Sequence, residues 1–161
     1  MYKNKFLQGC LLLAFSFIVL RSSSCKKDED DTQQAETKTQ LLTKANWKIV
    51  KAEARSTPAA AWSDATSLLD ACDKDNIQVY RTNATFELNE GATKCDALDP
   101  QIISTGTWAF LSGETQLRML ETGASVADTA AVEQLDNSTL ILSGKGDFNG
   151  TPLYTRITFG H

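Results

Sequence analysis

The sequence predicts an all-β fold, a single eight-stranded antiparallel up-and-down barrel over residues 40–161. Three observations carry this expectation. The region lacks a long amphipathic helical pattern, it shows about eight short runs of β-branched and aromatic alternation, and hairpin-like links join those runs. Closing such a meander leaves no sheet edge exposed.

The strands follow in order. Trp47 and Ile49 mark the first, Ile77 and Val79 the second, and Phe86 and Leu88 the third, with the turn-like Thr82-Asn83 between the last two. A fourth runs over residues 102–110 with Trp108 and Phe110 on one face, and Leu117 and Met119 mark a fifth. Residues 132–135 are a weaker sixth, residues 140–142 a seventh, and Leu153, Thr155, Ile157 and Phe159 an eighth.

The links alternate in length. Those after the second, fourth and sixth strands are short: Thr82-Asn83, residues 111–114, and Asp136-Asn137. Those after the first, third, fifth and seventh are longer, notably residues 55–75 and 91–100. In a meander the two sets fall at opposite ends, so one end is tightly closed and the other is ringed by long loops, where binding residues gather.

Residue size follows the same polarity. Trp47, Phe86, Trp108, Phe110 and Phe159 fall near the closed end, whereas the inward candidates near the rim are the smaller Ile77, Leu88, Ile102, Leu142, Leu153 and Thr155. An eight-stranded barrel can be filled by its side chains or can hold one small ligand. Both forms, a cup and a solid core, are compatible with these residues. Trp62, in the long first link, can cap the cup, present a contact, or pack on the barrel's outside.

The first thirty residues set an expected location. Lys3 and Lys5 precede an apolar run of eleven residues, 10–20. That run is too short for a spanning helix, which needs ~20, and suits a cleaved export signal over residues 1–24. Ser22-Ser23-Ser24-Cys25 then gives way to Lys26-Lys27-Asp28-Glu29-Asp30-Asp31. A thiol at this boundary is the nucleophile that diacylglyceryl transfer needs, so Cys25 is the expected lipidation site of a bacterial lipoprotein. The usual lipobox Leu is replaced here by Ser22. Leu7-Gln8-Gly9-Cys10 fits the lipobox letters but lies before the apolar run, where cleavage cannot occur. Residues 25–39 are then the lipidated cysteine and an acidic tether too poor in apolar groups to fold; random-coil scaling gives it a span of roughly 20 Å.

Loss of residues 1–24 takes sixteen basic residues to thirteen against twenty acidic, a charge of −7. This balance argues against nucleic acid as a partner. Cys72 and Cys95 are the only cysteines of the domain, and outside the cytoplasm an isolated pair is expected to form a disulfide.

Chemistry-bearing motifs are sparse. The single histidine is His161, so no Ser-His-Asp or Cys-His set can be assembled within the domain without it. No metal site or cofactor is expected, since zinc and copper sites recruit His or Cys. Gly144-Lys145-Gly146 lacks the spacing of a phosphate loop. Asp70, Asp73 and Asp75 offer three carboxylates but read as a solvated rim. Asn83, Asn137 and Asn149 each begin a glycosylation sequon and read as turn asparagines, and Asp128-Thr129-Ala130 resembles a three-residue O-glycosylation pattern of Bacteroidota.

Trp47 following Leu41-Leu42, together with Cys72-Asp73-Lys74-Asp75-Asn76, Gly106-Thr107-Trp108 and Asp136-Asn137-Ser138-Thr139-Leu140, resembles the lipocalin-like domains of Bacteroidota lipoproteins. The resemblance covers about residues 40–160. The acidic stretch after Lys26-Lys27 resembles the export signal of lipoproteins displayed on the outer surface in that group. Core lipocalins carry Gly-x-Trp where this chain has Ala45-Asn46-Trp47, and Arg156 is the available counterpart of their Trp-packing Arg.

The resemblance implies a non-enzymatic, outer-membrane lipoprotein, periplasmic-facing or surface-exposed, that holds a small apolar or amphipathic molecule at the long-loop end. The ligand-binding candidates are Trp62, Ile77, Leu88, Ile102, Leu142 and Leu153. A monomer is expected, with the membrane as its partner through Cys25. The alternative is a solid-barrel interaction module whose rim loops meet a protein or glycan.

Overall fold

A computed structural model describes residues 35–148 and 151–161. The signal-peptide reading, Cys25, most of the expected tether and Asn149 lie outside these residues. The elements are helix α1 (Lys38–Thr43), strand β1 (Asn46–Arg55), β2 (Ser63–Asp64), a 3-10 turn (Thr66–Leu68), α2 (Ala71–Asp75), β3 (Ile77–Tyr80), β4 (Thr85–Asn89), β5 (Ile102–Leu111), β6 (Gln116–Glu121), β7 (Asp128–Leu135), β8 (Leu140–Phe148) and β9 (Thr151–Gly160).

Every neighbouring pair is antiparallel, and β9 returns to β1 from Lys48↔Gly160 to Arg55↔Tyr154, which closes an eight-stranded barrel. The eight strands read from alternation are all present. The unforeseen β2 adds two residues to the margin of β1, opposite Glu53 and Ala54.

Three bulges explain where simple alternation fails. Ile49 faces Phe159 and Ala52 faces Ile157, so the extra residue Val50 is thrown outward while both apolar neighbours stay inside. On β7, Val132 opposes Leu142 and Leu135 opposes Leu140 across a register shift. Both therefore face the core although they are three residues apart, which weakens the period-2 signal of this strand. The third bulge lies on β5, where Leu88 pairs with Ser104 but Asn89 pairs with Ile102.

The three tight turns, residues 81–84, 112–115 and 136–139, meet at one end. Ala84, Ser112, Gly113 and Glu114 adopt positive φ there. Asp136 builds the last turn by accepting the Ser138 and Thr139 amides at 2.9 Å each, an Asx arrangement that holds its carboxyl below the usual range.

Helix α1 covers this end. Thr37 and Gln40 exchange side-chain-to-backbone bonds at 3.2 and 2.8 Å, a capping box that satisfies two orphan amides. Lys38 Nζ donates to the Glu114 carbonyl at 2.7 Å, and Lys44 Nζ donates to Asn137 Oδ1, so the helix is tied to two of the three turns. Its Leu42 is fully buried, and the Leu42 carbonyl accepts from Trp47 Nε1 at 2.9 Å.

Beneath it lie Trp47, Tyr80, Phe86, Trp108, Leu117, Leu140 and Phe159, all buried. Trp108 packs edge-on against Tyr80 and Phe110, with ring centroids 6.0 and 5.5 Å apart, and its Nε1 donates to the Arg81 carbonyl. Each such side chain removed from water contributes about 1.5–3 kcal/mol, so this plug is the stability centre of the domain. His161 packs edge-on against Trp47 at 5.3 Å and donates from Nε2 to the Asn137 carbonyl at 2.6 Å.

The other end carries the links over residues 56–76, 90–101 and 122–127. The expected long link after β8 is instead only residues 149–150, because β8 and β9 remain paired out to Phe148↔Thr151. Cys72 and Cys95 are joined, with Cα atoms 5.3 Å apart, and tie the first of these links to the second. The Thr93 amide donates to Asp75 Oδ2 at 2.9 Å beside the bridge. Gly91 abuts the same segment so closely that a Cβ would stand 2.1 Å from the Asp75 carbonyl oxygen.

Candidate ligand-binding cavity

Between the aromatic plug and the long-link end the barrel is hollow. A cavity of about 470 Å³ is lined by the apolar Met119, Leu142, Ile157 and Phe159 and by about as many polar residues, among them Gln78, Asp128 and Thr155. A second chamber of about 90 Å³ lies against Phe86, Leu88, Ser104 and Glu121 and shares Gln78, Met119 and Asp128 with the first. The larger volume falls within the ~300–1,000 Å³ typical of small-molecule sites.

The emptiness has a local cause. Inward positions on β8 beyond Leu142 are Gly144 and Gly146, in register with Thr155 and Leu153. A Cβ built at either glycine meets nothing within 4 Å. With Ala130 opposite, the wall between β7 and β9 is made of residues too small to fill the barrel.

The ladder between β7 and β8 also stops early. It runs from Leu135↔Leu140 to Ala131↔Ser143 and is not continued by the three pairs that would follow: Ala130 with Gly144, Thr129 with Lys145, and Asp128 with Gly146. Those six residues line the larger cavity instead. Each strand keeps its other partner, β7 pairing with β6 through Asp128 and β8 with β9 through Phe148. The strands thus part to leave a lateral slit with one unpaired backbone edge on each side.

Gln78 is the polar group at the base of the space. Its Oε1 accepts from the Tyr80 hydroxyl at 2.9 Å, and its amide nitrogen has no partner among the described residues. Burial pushes the Tyr80 phenol far above its ordinary range, so this hydroxyl stays a neutral donor. Asp128 and Glu121 bring carboxylates to the cavity walls, and Lys145 lines the slit.

The structure brings some of the six candidates together and separates others. Leu142 lines the larger cavity and Leu88 the smaller. Leu153 is half-buried in the inward row, opposite Gly146. Ile77 registers with Asn89, in the row opposite to Leu88, because Gln78 and Tyr80 take the inward places on β3. The β5 bulge likewise puts Ile102 in register with Asn89, and it is 46 % exposed.

Trp62 lies on the outer face. The Arg55 guanidinium sits 4.1 Å from its ring centroid and that of Arg156 4.7 Å, and it lines neither chamber. Arg156 is in the outward row, as its alternation with Ile157 requires. It pairs with Glu53, which also accepts from Lys51 at 2.8 Å. The hydrogen bond from Lys51, aided by Arg156 against the cost of burial, holds the Glu53 carboxyl below its usual range.

The group Asp70, Asp73 and Asp75 is spent on loop structure: the Asp70 amide donates to Asp73 Oδ2 at 3.3 Å and Asp75 accepts from Thr93. Asn83 accepts from the Thr85 amide at 3.2 Å, as a turn asparagine does.

No family model matches the chain, and no curated protein matches it.

Gly144, Gly146, Gln78 and Asp128 are the cavity residues that alternation misses. Two glycines one residue apart within a strand are the legible signal, because glycine weakens a strand unless something approaches closely there. Gln78 and Asp128 carry no such mark, being polar residues on an inner wall that pattern reading reserves for apolar ones.

Proposed function

We propose that the protein is a membrane-anchored, lipocalin-like lipoprotein of the Bacteroidota type, lipidated at Cys25 and held at the outer membrane. Its barrel binds a small apolar or amphipathic molecule without transforming it. The cavity of about 470 Å³ above the aromatic plug carries this reading, since it sets the apolar Met119, Leu142, Ile157 and Phe159 beside a comparable number of polar residues, a lining matched to an amphipathic guest. A binder fits better than an enzyme because the single histidine is taken up at the opposite end by Trp47 and Asn137.

Titration with a fluorescent amphiphile tests the site. Leu142→Trp, which projects a larger ring into the cavity, should lower uptake at least tenfold while the melting temperature shows the variant folded. Undiminished uptake in a folded Leu142→Trp variant would overturn the assignment. Cys25→Ser should move the protein from the membrane to the soluble fraction; retention in the membrane would overturn the anchor.

One observation favours a second reading, a rim that contacts another macromolecule. Leu68, Leu98 and Val126 are 83 %, 93 % and 80 % exposed, and each stands on a different long link. If this reading holds, cross-linking from Leu98 in cells should capture one dominant partner, and Leu68→Lys with Leu98→Lys should abolish the capture.

A further inference from the structure

We propose that the slit between β7 and β8 binds a short extended peptide segment, which completes the interrupted ladder with its own backbone. This rests on the cavity reading above and names the chemical class of the ligand.

The slit is built of backbone. Residues 128–130 of β7 and 144–146 of β8 each have one edge paired and one open, and all six line the same cavity. An open strand edge presents a row of N–H and C=O groups that must find water or a partner. A purely apolar guest filling this space would strip water from those groups and return no hydrogen bond, a penalty that works against its own burial. An extended peptide supplies donors and acceptors at the strand spacing, as in recognition by strand addition.

The side chains fit the same occupant. Gly144 and Gly146 leave their inward positions empty, with nothing within 4 Å of an added Cβ. Glycine inside a strand is one of the marks of a site where a ligand or another backbone approaches closely. A peptide lying along β8 can send one apolar side chain into the room those glycines leave, against Leu142, Ile157 and Met119. The slit carries one acid, Asp128, and one base, Lys145, so it selects for neither sign of charge and recognition falls to the amides.

The test uses the full chain and three probes. These are a labelled, end-blocked hexapeptide of alternating Thr and Val, the same peptide N-methylated at alternate amides, and the fluorescent amphiphile. Anisotropy should show the plain peptide binding and displacing the amphiphile, with N-methylation weakening it about tenfold or more, the loss expected for removing hydrogen bonds in a desolvated site. Gly144→Val should weaken the plain peptide by a similar factor. Because the N-methyl comparison is made on the unaltered protein, it stands even if that variant does not fold.

Equal binding of the plain and methylated peptides would overturn the inference. Amphiphile uptake with no peptide binding would also overturn it and leave the cavity reading intact. If neither probe binds, both readings fall.

Discussion

Arg156 donates from Nε and Nη2 to a single oxygen of Glu53, at 2.8 and 2.7 Å, directly across the β1–β9 ladder that closes the barrel. The other oxygen accepts from Lys51, so the carboxylate has a cation on each oxygen. Glu53 is 7 % exposed, and losing this charge leaves Arg156 facing a weaker acceptor at the seam.

This pairing makes stability depend on acid. The folded-state pKa of Glu53 is depressed, so its contribution is complete above the ordinary glutamate value of 4.5 and is lost as the pH falls through the lower folded value. Glu53→Gln should therefore lower the melting temperature by several degrees at pH 7. The gap between variant and parent should close as the pH is taken below that range, as followed by circular dichroism.

The disulfide should matter to stability more than to barrel closure. Cys72 and Cys95 are 23 residues apart, and a loop of that size contributes about 3 kcal/mol by the chain-entropy argument. Cys72→Ala with Cys95→Ala should lose about that much in urea denaturation while the far-ultraviolet spectrum remains that of a barrel.

Gly106 stands where β5 meets Phe86. A Cβ there would lie 2.2 Å from the Leu120 carbonyl oxygen and 2.5 Å from a Phe86 ring carbon. Backbone on one side and a buried ring on the other leave nothing that can yield cheaply. Gly106→Ala should cost more than about 2 kcal/mol, in the upper range of overpacking penalties, whereas Gly113→Ala, with nothing within 4 Å of its added Cβ, should cost only the ~1–2 kcal/mol of a left-handed backbone. Gly113 sits at a φ of 66°, so its alanine variant isolates conformational strain from crowding.

Ala84 offers the opposite sign. It holds a φ of 64° in the β3–β4 turn, a left-handed conformation that costs a Cβ-bearing residue ~1–2 kcal/mol. Glycine removes that strain but adds freedom to the unfolded chain. Ala84→Gly should raise stability by about 0.5 kcal/mol, seen as a higher urea midpoint with an unchanged slope.

Trp47, Phe86, Trp108 and Phe159 announced the plug because large aromatics at alternating positions have few other places to go. The tight turns were equally plain, since Asn83 and Asp136 carry the turn chemistry in their side chains. The cavity was much less legible. On β3 the β-branched Ile77 and Val79 face outward and Gln78 and Tyr80 inward, which reverses the hydrophobic assignment. Ile102 shares the outer row because one bulge residue shifts the register, and a bulge leaves no residue-type signature in this strand. Gly144 and Gly146 lack the spacing of a phosphate loop, and what they contribute is the volume they leave unfilled, which residue type alone does not announce. Helix α1 was hidden by its brevity, six residues with a single buried Leu42.

The pairing of β1 with β9 joins the first strand of the domain to its last, Lys48 to Gly160. Until β9 is available, a growing chain can assemble at most a curled sheet with two raw margins, each able to recruit a stranger. Contacts this distant in sequence form slowly. Glu53 and Arg156 sit on that final seam, and their attraction would be felt only at the last step. They brace the finished barrel, and they are also the latch that meets last.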